Sequence, residues 1–91
     1  MPADPPSARV LLITGCSSGI GLDAARTMAA RGWRVFAACR KPEDCARLRA
    51  EGLESPLIDY ADPASIDAGL AVLLEATGGR LDALFNNGAF A

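Results

Sequence analysis

A glycine-rich segment early in the chain offers the clearest chemistry. Residues 14–21 read Thr-Gly-Cys-Ser-Ser-Gly-Ile-Gly. Glycines permit a sharp reversal and let a ligand approach the backbone where a Cβ would clash. If a helix begins here, its free N–H groups and its dipole favour a pyrophosphate, and the serines could cap the helix or donate to phosphate oxygens. The residues expected to contact such a ligand are Gly15, Ser17, Ser18, Gly19, Ile20 and Gly21.

The elements on either side of this segment support a nucleotide site over a turn that serves packing alone. Residues 10–13 are a continuous apolar run, typical of a strand buried on both faces of a parallel sheet. Residues 19–31 place small apolar side chains at helical spacing, and Gly32 ends that helix. The spacing Gly-x-x-x-Gly-x-Gly lacks the Gly-Lys-Ser/Thr of a P-loop, so a dinucleotide is favoured over a triphosphate.

Strands and helices continue to alternate along the chain. A second strand is expected at 33–39, and a helix follows that Pro42 opens and Gly52 stops. A weaker third strand at 53–59 contains Pro56, which suits an edge position because proline cannot donate to a ladder. The last two elements are a helix capped by Asp62 and ended at Gly78-Gly79, and a fourth strand at 81–85.

The predicted order βαβαβαβ determines the fold class. Right-handed crossovers turn it into an α/β, three-layer arrangement with helices on both faces of a parallel sheet in the order 3-2-1-4. Residues 1–8 carry three prolines and are expected to be a flexible N-terminal lead. Residues 9–91 supply the first half of a doubly wound sheet plus its fourth strand, so the fold is expected to be truncated after that strand. Its uncovered edge could support self-association.

The end of the second strand bears on the choice of cofactor. An NAD site usually offers an acid there, about 20 residues past the glycines, for the ribose 2′-hydroxyl. Here Arg40 and Lys41 occupy that place, while Glu43 and Asp44 are interpreted as first-turn helix charges. Cations could pair with a 2′-phosphate, which favours NADP(H) over NAD(H). The alternative is that both are solvated loop charges.

These motifs together resemble the N-terminal part of the short-chain dehydrogenase/reductase family, from residue 9 to the end. The family's Thr-Gly-x-x-x-Gly-Ile-Gly is matched in full by residues 14–21, Asp59 follows the third strand, and paired asparagines end the fourth. The family's usual Asn-Asn-Ala-Gly appears here as Asn86-Asn87-Gly88-Ala89. The chain therefore departs from the family's pattern directly after Asn87.

The resemblance implies a Rossmann-type fold and a role for each matching position. The glycine turn would hold the pyrophosphate and Arg40 the 2′-phosphate. Asp59, with the backbone of Tyr60, would meet the adenine. The corner formed by Asn86, Asn87 and Gly88 would line the ribose side. The alternatives are a loop cap for Asp59 and a plain left-handed turn for the corner.

Other features of the sequence exclude several classes of function. Histidine is absent, which removes Ser-His-Asp and Cys-His nucleophiles and His-ligated metals. The three cysteines form no Cys-x-x-Cys and fit buried, reduced thiols of a cytoplasmic protein; a packed Cys16 is favoured over a reactive one. A net charge of −2 with scattered cations gives no nucleic-acid footprint or membrane patch, and no apolar run could span a bilayer.

The expected function is that of an NADP(H)-binding N-terminal fragment. The resemblance implies that the complete parent transfers hydride between nicotinamide and a carbonyl or alcohol substrate. The Tyr-x-x-x-Lys on which that chemistry depends is absent from the 91 residues, so no catalytic residue is assigned. A non-catalytic nucleotide-binding or interaction module that pairs through the sheet edge is one alternative, and a remnant that binds nothing is another.

Overall fold

Strands and helices alternate along the chain as predicted, except that two helices follow one another where the third strand was expected. A computed structural model describes residues 8–87, so most of the predicted N-terminal lead and Gly88 lie outside the described residues. Within that range the elements are β1 (Val10–Ile13), α1 (Gly19–Ala30), β2 (Arg34–Ala37), α2 (Pro42–Ala50), α3 (Pro63–Thr77) and β3 (Ala83–Phe85).

The strands form a parallel sheet in the order β2-β1-β3. Leu11 lies opposite Val35 of β2 on one side and Ala83 of β3 on the other. The connection from β1 to β2 passes through α1, and helices lie between the remaining strands, as parallel pairing requires. The α/β class and the parallel order are therefore confirmed.

The predicted third strand is not a continuous strand. The segment runs parallel to β2 but makes only two isolated bridges, Phe36 with Glu54 and Cys39 with Leu57. Between them, Pro56 has no N–H to donate, and the Ser55 hydroxyl donates to the Ala37 carbonyl at 2.6 Å instead. The segment thus keeps its edge place beside β2, while proline interrupts the ladder.

Helices cover both faces of the sheet and complete three layers. On one face, Leu11 and Ile13 pack with residues of α1 and α2, among them Ala25 and Leu48. On the other face, Val10, Leu12 and Phe36 pack with Leu73 of α3 and with Ile58, and Ile66 and Leu70 of the same helix pack against this cluster. Every residue of β1 is buried, as expected for a central strand with helices on both sides.

The ends of α3 follow the predicted signals closely. The Asp62 carboxylate accepts a hydrogen bond from the Ala64 amide at 3.1 Å, and Pro63 occupies the first helical position. Gly78 ends the helix in the left-handed region with φ 69°. This helix therefore carries its boundaries in its own sequence.

Candidate dinucleotide-binding site

The glycine-rich segment forms the turn between β1 and α1, at the carboxyl edge of the sheet. Backbone hydrogen bonds tie it to both neighbouring strands: the Thr14 amide donates to the Phe85 carbonyl at 3.1 Å, and the Cys16 amide to the Ala38 carbonyl at 3.0 Å. In open α/β sheets, ligands bind outside the carboxyl ends of the strands. The turn lies where such a ligand would bind.

The glycines of the turn meet two different demands. Gly15 and Gly19 have φ values of 67° and 66°, which side-chain-bearing residues rarely adopt. A Cβ added at Gly19 would meet nothing within 4 Å, so the space beside it is open. A Cβ at Gly21 would lie 2.6 Å from both the Asn87 Nδ2 and the Gly15 carbonyl oxygen, so that position has no room for a side chain.

The start of α1 has no side-chain cap. Ser18 is the N-cap in an extended conformation, yet its hydroxyl makes no capping hydrogen bond, and the first turn of the helix has no acidic residue. Ser17 is half-buried, and Ser18 and Ile20 are exposed. Of the two roles considered for the serines, capping is not observed. The helix start leaves donors available to an anion.

A polar network links the turn to two distant segments. The Tyr60 hydroxyl donates to Asn86 Oδ1 at 2.5 Å and also contacts the Thr14 hydroxyl. The Thr14 hydroxyl in turn donates to Asn86 Oδ1 at 3.2 Å. Thr14 is 6% exposed, so this contact lies at the margin of the core. The network joins the end of β1, the segment before α3 and the segment after β3.

Asn87 fixes the same corner from the other side. Its backbone amide donates to Thr14 Oγ1 at 3.1 Å, and its side-chain amide donates to the Gly15 carbonyl at 3.2 Å. Neither Asn86 nor Asn87 has a positive φ, and Gly88, the third residue of the left-handed turn considered as an alternative, lies outside the described residues. The paired asparagines thus brace the glycine turn.

Asp59 caps a local turn. One carboxylate oxygen accepts from the Ala61 amide at 3.0 Å, and its backbone amide donates to the Ser65 hydroxyl at 2.8 Å. The loop-cap role considered for this residue is therefore present. Asp59 and Tyr60 are both half-buried, at the same sheet edge as the turn.

Arg40 and Lys41 follow β2 at that edge, and both are exposed. Arg40 lies two residues beyond Ala38, whose carbonyl accepts from the glycine turn. Within residues 8–87, neither side chain makes a hydrogen bond or ion pair with another residue. Neither cation is therefore neutralised by a partner in this part of the chain.

Cys16 belongs to the packing of the turn. Its Sγ is fully buried and donates to the Ile13 carbonyl at 3.3 Å. Burial, followed by the charge of nearby Cys39, raises the pKa of Cys16 to about 12. The thiol is therefore protonated near neutrality, which confirms the packed role over the reactive one.

Two residues that contact the site were not predicted from the sequence. Thr14 opens the motif, and its position directly after a buried run was a usable signal. Arg47 of α2 donates from one guanidinium nitrogen to the Ser17 carbonyl and from another to Asp44 Oδ1 at 3.1 Å. Its contact with the turn spans 30 residues of sequence, so local spacing gave no signal for it.

The family of short chain dehydrogenases matches this chain over residues 9–91. An uncharacterized oxidoreductase, YbbO, of Escherichia coli strain K12 is 42% identical over 80 residues, which cover 88% of this chain and 30% of that protein. A putative ketoacyl reductase of the monensin polyketide synthase of Streptomyces virginiae is 40% identical over 87 residues, covering 89% of this chain and 33% of that protein. The chain thus spans about a third of the length of these relatives.

Solved structures share the fold at clear sequence identity. A variant of actinorhodin polyketide ketoreductase, crystallised with NADPH, superposes with a TM-score of 0.80 at 33% identity, covering 97% of this chain and 36% of that one. A 3-ketoacyl-(acyl-carrier-protein) reductase of Brucella melitensis, complexed with NADH, superposes with a TM-score of 0.75 at 29% identity. The match covers 84% of this chain and 32% of that one. The family match, the relatives and the fold agree, and the chain belongs to the short-chain dehydrogenase/reductase family.

Proposed function

We propose that this chain is the dinucleotide-binding part of an NADP(H)-dependent oxidoreductase, and that residues 9–91 are the N-terminal half of its Rossmann domain. The full protein would transfer hydride between the nicotinamide and a carbonyl or alcohol substrate. Family membership supports the reaction class, and the similar ketoacyl reductases of Streptomyces virginiae and Brucella melitensis support a carbonyl substrate. The three buried, free cysteines support a reducing, cytoplasmic compartment.

The observation that carries this proposal is the open, uncapped start of α1. A ligand can approach the backbone at Gly19, where an added Cβ would meet nothing within 4 Å. The Ser18 hydroxyl makes no capping hydrogen bond to the helix, so it can donate to a phosphate oxygen. The residues that would hold the dinucleotide are Gly15, Ser17, Ser18, Gly19, Ile20, Gly21, Arg40, Lys41, Asp59, Tyr60, Asn86, Asn87 and Gly88.

These residues divide the work of binding among them. The turn would neutralise the pyrophosphate, and Asp59 with the backbone of Tyr60 would face the adenine. The asparagine corner would line the ribose side while bracing the turn through the Gly15 carbonyl. A dinucleotide bound there would supply or accept the hydride. The protein's own contribution in this part of the chain is to bind and orient that group.

The preference for NADP(H) over NAD(H) rests on Arg40 and Lys41. Both are exposed cations at the carboxyl end of β2, where an NAD site usually has an acid. A guanidinium can pair with a 2′-phosphate in a charge-assisted contact that contributes about 1.5–3 kcal/mol. Such a contact is large enough to decide which cofactor binds.

Arg40→Asp tests this preference. We expect the Kd for NADPH to rise about 10- to 100-fold and the Kd for NADH to change little, because only NADPH carries the 2′-phosphate. Fluorescence titration of both cofactors against the purified protein measures the ratio. Arg31→Asp is the matched control, since it makes the same charge change at the C-terminal end of α1, the end that is far from the glycine turn. An unchanged ratio in Arg40→Asp would remove the phosphate role from this residue.

The exposed edge of β3 favours a second candidate function, an interaction module. Leu84 is 58% exposed and Phe85 39% exposed, on a strand that pairs only with β1 among the described residues. An open strand edge with apolar side chains is a template for pairing with another chain. Under this alternative, the chain would self-associate through β3.

A further inference from the structure

We propose that Arg47 is a positioning residue for the diphosphate turn, an inference that rests on the proposed function. It holds the Ser17–Ser18 peptide so that the Ser18 N–H stays directed at the ligand. Arg47 lies on α2, an element to which neither the glycine motif nor the cofactor-preference argument assigns a role.

The contact itself bridges α2 and the turn. One guanidinium nitrogen of Arg47 donates to the Ser17 carbonyl oxygen, and another donates to Asp44 Oδ1 at 3.1 Å. The planar guanidinium presents its donors in a fixed fork, so two bonded partners define its plane. Arg47 therefore reaches the turn in a set orientation.

Asp44 keeps the guanidinium in place. It lies three residues before Arg47 on α2, a spacing at which helical side chains are neighbours. It also lies in the first turn of that helix, where the helix dipole favours an anion. Its side chain is only 20% exposed, against 53% for Arg47, so Asp44 is the more buried member of the pair.

The orientation of one peptide group follows from this contact. In a trans peptide, the carbonyl and the next N–H point in opposite directions, and no cis peptide occurs within residues 8–87. With the Ser17 carbonyl held toward α2, the Ser18 N–H points away from α2. Inside the described part of the chain, that N–H makes no hydrogen bond. It is a free donor at the start of α1, which is what a phosphate oxygen needs.

A positioning role and a direct charge role predict different binding results. The diphosphate is common to NADPH and NADH, so losing the oriented Ser18 N–H weakens both equally. A direct contact with the 2′-phosphate would weaken NADPH alone. The two titrations therefore separate turn positioning by Arg47 from the cofactor preference assigned to Arg40.

The test compares Arg47→Met, Arg47→Lys and the control Arg31→Met in the 91-residue chain. We expect Arg47→Met to raise the Kd of NADPH and of NADH by the same factor, about fivefold. The Kd values of Arg47→Lys should lie between those of the wild type and of Arg47→Met, because lysine keeps the charge but lacks the planar guanidinium with its two hydrogen-bonding nitrogens. Arg31→Met removes the same charge from the other end of α1 and should change neither Kd.

A second readout does not depend on the cofactor. In the unliganded chain, the ¹⁵N order parameter of the Ser18 amide should fall toward the flexible range, below about 0.6, in Arg47→Met. The amides in the middle of α1 should keep their values, which also shows that the variant is folded.

The outcomes separate the inference from the proposed function. A loss confined to NADPH would assign Arg47 to the 2′-phosphate and overturn positioning, as would unchanged affinities. A wild-type chain that binds neither dinucleotide would overturn the proposed function. In that case the Ser18 order parameter still decides: a fall in Arg47→Met supports the ordering of the turn by Arg47, and an unchanged value overturns it.

Discussion

At Gly21, the turn, α1 and the segment after β3 approach one another closely. An added Cβ would lie 2.6 Å from the Asn87 Nδ2 and 2.6 Å from the Gly15 carbonyl oxygen. The second of these atoms is backbone and cannot swing away. The third glycine of the motif is thus required by close approach rather than by its φ, in contrast to Gly15 and Gly19.

Gly21→Ala should destabilise the protein by about 1–3 kcal/mol, because the turn must shift to admit the methyl group. The sign is informative, since alanine in a helix interior would otherwise gain about 0.5–1 kcal/mol over glycine. Urea unfolding measures the change. Thr27→Ala on the exposed face of α1 is the control and should be neutral or stabilising. A Gly21→Ala protein as stable as the wild type would contradict the close approach.

At the residue scale, the local sequence pattern predicted the turn residues that could donate to a ligand. It did not predict the side chains that hold the turn in place. The glycines and serines could be identified because one short segment specifies both a turn and a helix start. The Tyr60 hydroxyl could not, because its partners Thr14 and Asn86 are 46 and 26 residues away in sequence. Contacts at such separations depend on the register of the sheet rather than on the local sequence.

At the scale of elements, the Asp82 carboxylate adds a side-chain hydrogen bond to the backbone pairing of β3 with β1. The Val10 amide donates to the Asp82 carboxylate at 2.7 Å, and the Arg80 guanidinium donates to the same oxygen at 2.8 Å. The hydrogen bond from Val10, followed by that from Arg80, holds the pKa of Asp82 below its ordinary value of 3.8. Such a group stabilises the fold above its unfolded pKa, and this stabilisation is lost as the pH falls through the folded pKa.

Asp82→Asn should therefore lower the free energy of unfolding near neutrality. It should also make that free energy depend less on pH in the acid range. As the pH falls below 3.8 and through the lower folded pKa, the wild type and the variant should converge, because the wild-type carboxylate then loses its charge. Chemical unfolding at neutral pH and across the acid range checks this. Asp67→Asn on the exposed face of α3 should leave the acid dependence unchanged. A gap between wild type and Asp82→Asn that stays constant with pH would contradict the role of the carboxylate.

The elements themselves differ in how much of their structure could be predicted. Both ends of α3 were predictable because Asp62, Pro63 and Gly78 act within a residue or two of the boundary. The predicted third strand was only partly right. Pro56 was correctly interpreted as an edge feature, but the sequence does not show that Ser55 would take over the missing hydrogen bond to Ala37. Here a side-chain hydroxyl takes the place of a backbone N–H, and strand propensity does not predict such a replacement.

At the scale of the whole molecule, the two edges of the sheet differ in the part of the chain that the structure describes. Beyond β2, the segment containing Glu54 and Leu57 covers the edge, whereas β3 presents Leu84 and Phe85 to the surroundings. None of the helices in residues 8–87 combines the length and the apolar character that a membrane-spanning helix needs. The open edge is the feature that the interaction-module alternative needs.

Leu84→Lys tests that alternative. If β3 pairs between chains, the wild type should show concentration-dependent association in sedimentation equilibrium. The variant should remain monomeric at the same concentrations, because a lysine on an edge strand opposes pairing. Leu74→Lys is the control, since Leu74 is 41% exposed on a helix, α3, rather than on a strand. Wild-type protein that stays monomeric throughout would remove the interaction-module reading.

Mapping the cofactor onto the chain by NMR tests the central claim most directly. In a titration of the ¹⁵N-labelled chain with NADPH, the account predicts that the largest amide shifts fall in residues 15–21, with further shifts at Arg40, Lys41, Asp59 and Tyr60. Binding that leaves the β1–α1 turn unshifted, or shifts that cluster at the amino edge of the sheet, would contradict a dinucleotide site at this turn.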